Sequence, residues 1–70
     1  MNANILLKAI DDLATEARDL TNRHVYGDED LTPAEMKRLD DLLLDIMMFT
    51  RNPSSDSSKR RLAELQRDWE

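Results

Sequence analysis

The architecture turns on ten residues, Gly27-Asp28-Glu29-Asp30-Leu31-Thr32-Pro33-Ala34-Glu35-Met36. Gly27, the only glycine of the chain, suits a left-handed helix C-cap. Thr32 can cap a following helix, with Pro33 at its first position, Glu35 completing a capping box and Leu31 placed to staple against Met36. One helix therefore ends, and another begins, within a single short stretch.

Towards the N-terminus, Ala3, Leu6, Ile10, Leu13, Ala17 and Leu20 follow one another at steps of 3, 4, 3, 4 and 3, the spacing of one helix face. Leu7, Ala9 and Ala14 widen the stripe, while Asp11, Asp12, Arg18 and Asp19 fall outside it. The pattern predicts a helix over about residues 3–26. His24 continues the series, so it is expected half-buried near the turn or opposite the negative end of the helix dipole. A pH-sensitive interface histidine is the sharper alternative.

Towards the C-terminus, Met36, Leu39, Leu43 and Ile46 give a second series, flanked by Leu42, Met47 and Phe49. It predicts a helix over about residues 33–51, interrupted by Asn52-Pro53. Two helices of roughly 36 and 28 Å, at ~1.5 Å per residue, form an antiparallel hairpin when joined so briefly. Ala9, Ala14 and Ala17 of the first then receive the bulkier side chains of the second. Ser54-Ser55-Asp56-Ser57-Ser58 offers several N-caps, and Leu62, Leu65 and Trp69 share one stripe of a short third helix over about residues 55–69.

The second helix carries more apolar residues than one face holds. Leu42 to Phe49 reads LLLDIMMF, seven of eight apolar, and Leu44 and Met48 lie roughly opposite Leu39, Leu43 and Ile46. A helix apolar nearly all round is covered on more than one side. The candidates for that cover are the chain's own third helix, a second copy, or a foreign protein. Leu42, Leu44, Met47, Met48, Phe49 and Trp69 are therefore the candidate interface residues; thioether side chains adapt to irregular surfaces, and Trp69 either pins the third helix or anchors a partner.

The composition agrees with a partner. Seventy residues without cysteine make one small domain, residues 1–70, with a thin core and no disulfide or thiolate metal site. Fifteen acids against ten bases leave a net charge of −5, which does not favour nonspecific attraction to nucleic acid or to an anionic membrane. Only residues 51–70 carry a positive balance, and Lys59-Arg60-Arg61 is the one basic cluster. It could meet an acidic protein surface or, as an alternative, nucleic acid. No apolar run approaches the ~18 residues of a membrane span, and the N-terminal residues lack the pattern of a signal peptide, so a cytoplasmic protein is expected.

The chemical inventory is poor. There is no Cys, no Gly-rich phosphate loop, no HExxH and a single His. Asp11-Asp12 and Asp40-Asp41 are neighbours in sequence, which on a helix aims them about 100° apart. Asp28-Glu29-Asp30 lacks the ligand spacing of an EF-hand loop. No catalytic residue, cofactor, metal or small-molecule substrate is expected.

Small acidic, cysteine-free helical hairpins resemble accessory proteins of plasmids, phages and secretion systems, including dimeric hairpins that pair into four-helix bundles. Asn52-Pro53-Ser54 followed by Leu62-Ala63-Glu64-Leu65-Gln66 resembles the turn of type III secretion needle subunits. That likeness covers under a third of the chain, lacks the long C-terminal helix of that family, and carries no functional residue across. The expectation is an all-α hairpin with a short third helix, pairing into a dimeric bundle. It would act without catalysis, binding another protein as inhibitor, adaptor or regulator. A small nucleic-acid-associated transcriptional regulator using residues 59–61, and a secretion or assembly chaperone, are the alternatives.

Overall fold

The computed structural model describes residues 3–69, and the side chain of Ala3 lies outside the described residues. The described residues form three helices and no strand: α1 (Ala3–Val25), α2 (Pro33–Arg51) and α3 (Asp56–Asp68). None is long and apolar enough to cross a membrane. α1 and α2 form the expected antiparallel hairpin, and α3 packs on it more lightly.

The start of α2 follows its local chemistry. The Thr32 hydroxyl accepts from the Glu35 N–H at 3.1 Å and the Glu35 carboxylate accepts from the Thr32 N–H at 3.0 Å. With Pro33 at the first helical position, the orphan donors of the first turn are largely satisfied. The end of α1 differs from expectation. The left-handed residue is Asp28, with φ of 56°, and Gly27 has no positive φ. The Glu29 N–H reaches back six residues to the Arg23 carbonyl at 3.2 Å, a closure one residue wider than the Schellman motif, with the left-handed residue immediately before the donor. Glycine is still required at 27, because a Cβ there would lie 2.6 Å from the Arg23 carbonyl oxygen.

Ala9, Leu13, Ala17, Leu42, Phe49 and Leu62 form the buried core, with Ile5, Leu6, Ile10, Leu20, Leu39, Ile46, Met48, Leu65 and Trp69 packed against it. The inner series of α2 is thus Leu39, Leu42, Ile46 and Phe49. Met36 and Leu43, expected inside, are instead half-exposed at 51% and 48%. The reason is steric. Phe49, the largest fully buried side chain, has no exposure, and turning it inward brings Leu42, seven residues earlier and only ~20° away, inward with it.

Two ion pairs fix the hairpin from one flank. The Arg38 fork donates to both Glu16 oxygens, with Nη2 at 2.9 Å, and Arg23 pairs with Glu35. The corner between α2 and α3 closes through Ser58, which is fully buried. Its hydroxyl donates to the Asn52 carbonyl at 2.6 Å, accepts from the Ser55 hydroxyl at 3.0 Å, and Ser55 caps α3 through the Ser58 N–H at 3.1 Å.

Phe49→Ala should cost about 3–5 kcal/mol, comparable to everything a core of this size supplies. The variant is expected to be largely unfolded by circular dichroism at room temperature, whereas Leu43→Ala should change stability by no more than about 0.5 kcal/mol. Gly27→Ala forces the backbone at Arg23 to move and should cost more than about 1 kcal/mol, read as a Tm lower by at least about 4–8 °C.

Candidate interaction surface

The residues singled out from the run Leu42–Phe49 divide between two sides of α2. Leu42 and Phe49 are consumed by the chain's own core, at 1% and 0% exposure, while Leu44 stays 55% and Met47 42% exposed. Met48 is half-buried against the core. Of the pair expected to need cover, Met48 therefore has it within the chain and Leu44 does not. At 100° per residue, Leu44 points about 140–160° away from Leu42 and Phe49, so it marks the outer face of α2.

Leu43 and Met36 join this outer face, and sequence reasoning missed them. In a run of seven apolar residues out of eight, the helical period is preserved by more than one choice of inner stripe. The only discriminating signal was size, since the ring of Phe49 is the bulkiest group to hide.

Trp69 caps the end of α3 half-buried against the core. The Lys8 ammonium lies 4.5 Å from its ring centroid, a cation–π contact of about 0.5–1 kcal/mol at a partly exposed site. The indole thus touches the first helix of its own chain. Lys59 and Arg60 are exposed, but Arg61 is not free: its Nε donates to Asp45 at 3.0 Å and its Nη1 to Glu64 at 3.1 Å. The basic cluster is therefore split, with two cations facing solvent and the third tying α3 to α2. Because Ser55 is the cap and Asp56 opens the helix, the three cations follow the first three helical residues, and the Asp56 carboxylate complements the dipole there.

His24 lies in the last turn of α1, at the negative end of the helix dipole as the second expectation had it, but it is not half-buried. Its side chain is 60% exposed and its Nδ1 lies 2.9 Å from the Glu29 carbonyl oxygen. It sits beside the connection to α2, where the only α2 side chain sharing its hollow is the half-exposed Met36. His24, Asp30, Leu31 and Met36 line a shallow hollow there. In the acidic turn, Glu29 is engaged by Arg23 at 3.4 Å. Among the described residues, no group of three or more His, Cys, Asp or Glu side chains is placed to hold a metal ion.

Two carboxyl groups have shifted titration. The Arg38 fork holds Glu16 below the ordinary value of 4.5. Glu35 is held below it by the Thr32 N–H first, and by the Thr32 hydroxyl and Arg23 in addition. Both groups join the two long helices or start the second, so their ionisation belongs to the fold that supports the outer face.

Comparison of the chain with known protein families, with curated proteins and with solved structures finds no match.

The two depressed carboxyl groups imply a direction for acid sensitivity. Below the ordinary value of 4.5 the unfolded chain binds more protons than the folded one, so stability is fully present above that pH and is lost as the pH falls. Thermal melts should show a Tm that declines on acidification below about pH 4.5. Glu16→Gln should have a lower Tm at neutral pH and a shallower decline in acid.

Proposed function

We propose that the chain is a non-enzymatic protein-interaction module that works by occupancy. It pairs with a second copy through the outer face of α2, and the acidic assembly then blocks, sequesters or bridges another protein. The observation that carries this reading is the exposure of Leu43, Leu44 and Met47 side by side on one helix, at 48%, 55% and 42%. Single exposed apolar side chains are ordinary, but contiguous ones mark a surface that meets another surface. In a chain of this size the stability gained by covering them is a large share of the total. A small dimer interface is also consistent with the thin core, since a second copy supplies buried area that disulfides or metals supply in other mini-proteins.

The remaining surface supports the same reading. With a net charge of −5, the molecule favours a partner with a basic or mixed surface over nucleic acid. The solvent-facing part of the basic cluster, Lys59 and Arg60, is small beside that balance.

Light scattering of the purified chain over a concentration series tests this proposal against Leu44→Glu combined with Met47→Glu. The unchanged chain is expected to approach twice its 8.1 kDa monomer mass as concentration rises. The double variant should remain monomeric with its helix content retained, since neither side chain belongs to the core. A unchanged chain that stays monomeric throughout the series would overturn the self-association.

A further inference from the structure

Seven charged side chains lie on α2: Glu35, Lys37, Arg38, Asp40, Asp41, Asp45 and Arg51. Five are engaged within the chain. Glu35 pairs with Arg23, Arg38 with Glu16, Lys37 with Asp41 at 3.4 Å, and Asp45 with Arg61 at 3.0 Å. Of these seven, Asp40 and Arg51 have no ion-pair partner among the described residues. These two bracket Leu43, Leu44 and Met47 of the outer apolar face.

Asp40, Leu44, Met47 and Arg51 follow one another at steps of 4, 3 and 4, so they form a single stripe with a carboxylate at one end, a guanidinium at the other and two apolar side chains between. The stripe spans three turns, about 16 Å at ~1.5 Å per residue. The flanking carboxylates Asp41 and Asp45 are already matched by Lys37 and Arg61, so they oppose a partner less than bare charges would.

A stripe ordered in this way is complementary to itself reversed. In a two-fold symmetric pair each contact occurs twice, residue against residue and back again. When two copies of α2 lie antiparallel with the axis passing between the levels of Asp45 and Ile46, Asp40 of each copy falls level with Arg51 of the other, and Leu44 with Met47. A parallel arrangement sets Asp40 against Asp40 and Arg51 against Arg51. We infer that the outer face of α2 is an isologous interface in which two copies of the chain pack α2 antiparallel on α2, with reciprocal Asp40–Arg51 contacts closing both ends of a Leu44–Met47 centre. This deepens the self-association proposed above and rests on it: the apolar centre gives the attraction and the terminal charges set direction and register.

Charge reversal tests the register separately from the association. Asp40→Arg alone and Arg51→Asp alone each place like charges at both ends of the pair. Each should weaken self-association about tenfold by sedimentation equilibrium at low salt, with helix content unchanged by circular dichroism. An equimolar mixture of the two variants restores opposite charges at both ends. It should recover the association of the unchanged chain, with heterodimer dominating over either homodimer in native mass spectrometry. The chain carrying both reversals should also recover it. Dimers that form equally well in all of these, or single variants that fail to rescue each other, would overturn the antiparallel register while leaving self-association standing. A monomeric unchanged chain would overturn both.

Discussion

Burying the ring of Phe49 sets the rotation of α2 about its own axis, and the remaining features follow from that angle. With Phe49 fully enclosed and Leu42 at 1% exposure, the helical period sends Leu39 and Ile46 to the edges of the seam and Leu43, Leu44 and Met47 outward. The complementary small residues sit on α1, where Ala9 and Ala17 are buried beside Leu13. Large side chains meeting small ones across a helix pair is how a core reaches native density without strained rotamers. An alternative rotation that hid Leu43 and Met36 would leave the ring in water.

Electrostatics reinforces this angle without creating it. The Glu16–Arg38 and Arg23–Glu35 pairs join α1 to the start of α2, and Asp45–Arg61 joins α2 to α3. Exposed pairs contribute little stability individually, yet three of them at different levels penalise sliding of one helix along the other. The Ser55–Ser58–Asn52 hydrogen bonds play the corresponding part at the second corner, where a buried hydroxyl has found its partners. No described buried side-chain polar atom is left unsatisfied, so the fold meets the strict requirement placed on polar groups removed from water.

The helix boundaries were legible because short-range chemistry writes them. Thr32, Pro33 and Glu35 announce the start of α2, and Asn52-Pro53 its end, within one residue of the observed limits. The rotation of α2 was not legible, since LLLDIMMF satisfies the helical period in several phases and only packing against α1 selects one. Gly27 misled for a related reason: a lone glycine after a helix suggests a left-handed backbone, but here it relieves the close approach of the Arg23 carbonyl while Asp28 takes the unusual angle. Arg61 looked like one third of a basic patch because its partner Asp45 is sixteen residues away, beyond any local pattern. The outer face was legible in part: of the surplus pair Leu44 and Met48 only Leu44 lies on it, while Met47, Leu43 and Met36 read as part or flank of the inner series.

Three of the four methionines of the chain, Met36, Met47 and Met48, lie among the described residues and differ in their access to oxidants. Met36 and Met47 stand open to solvent at 51% and 42% exposure, while Met48 is shielded against the core. A sulfoxide at Met47 would put a polar, chiral group at the centre of the outer face without disturbing Phe49 or Leu42. The neighbours Met47 and Met48 thus separate two kinds of damage, one that alters how the molecule meets others and one that alters how it holds itself together.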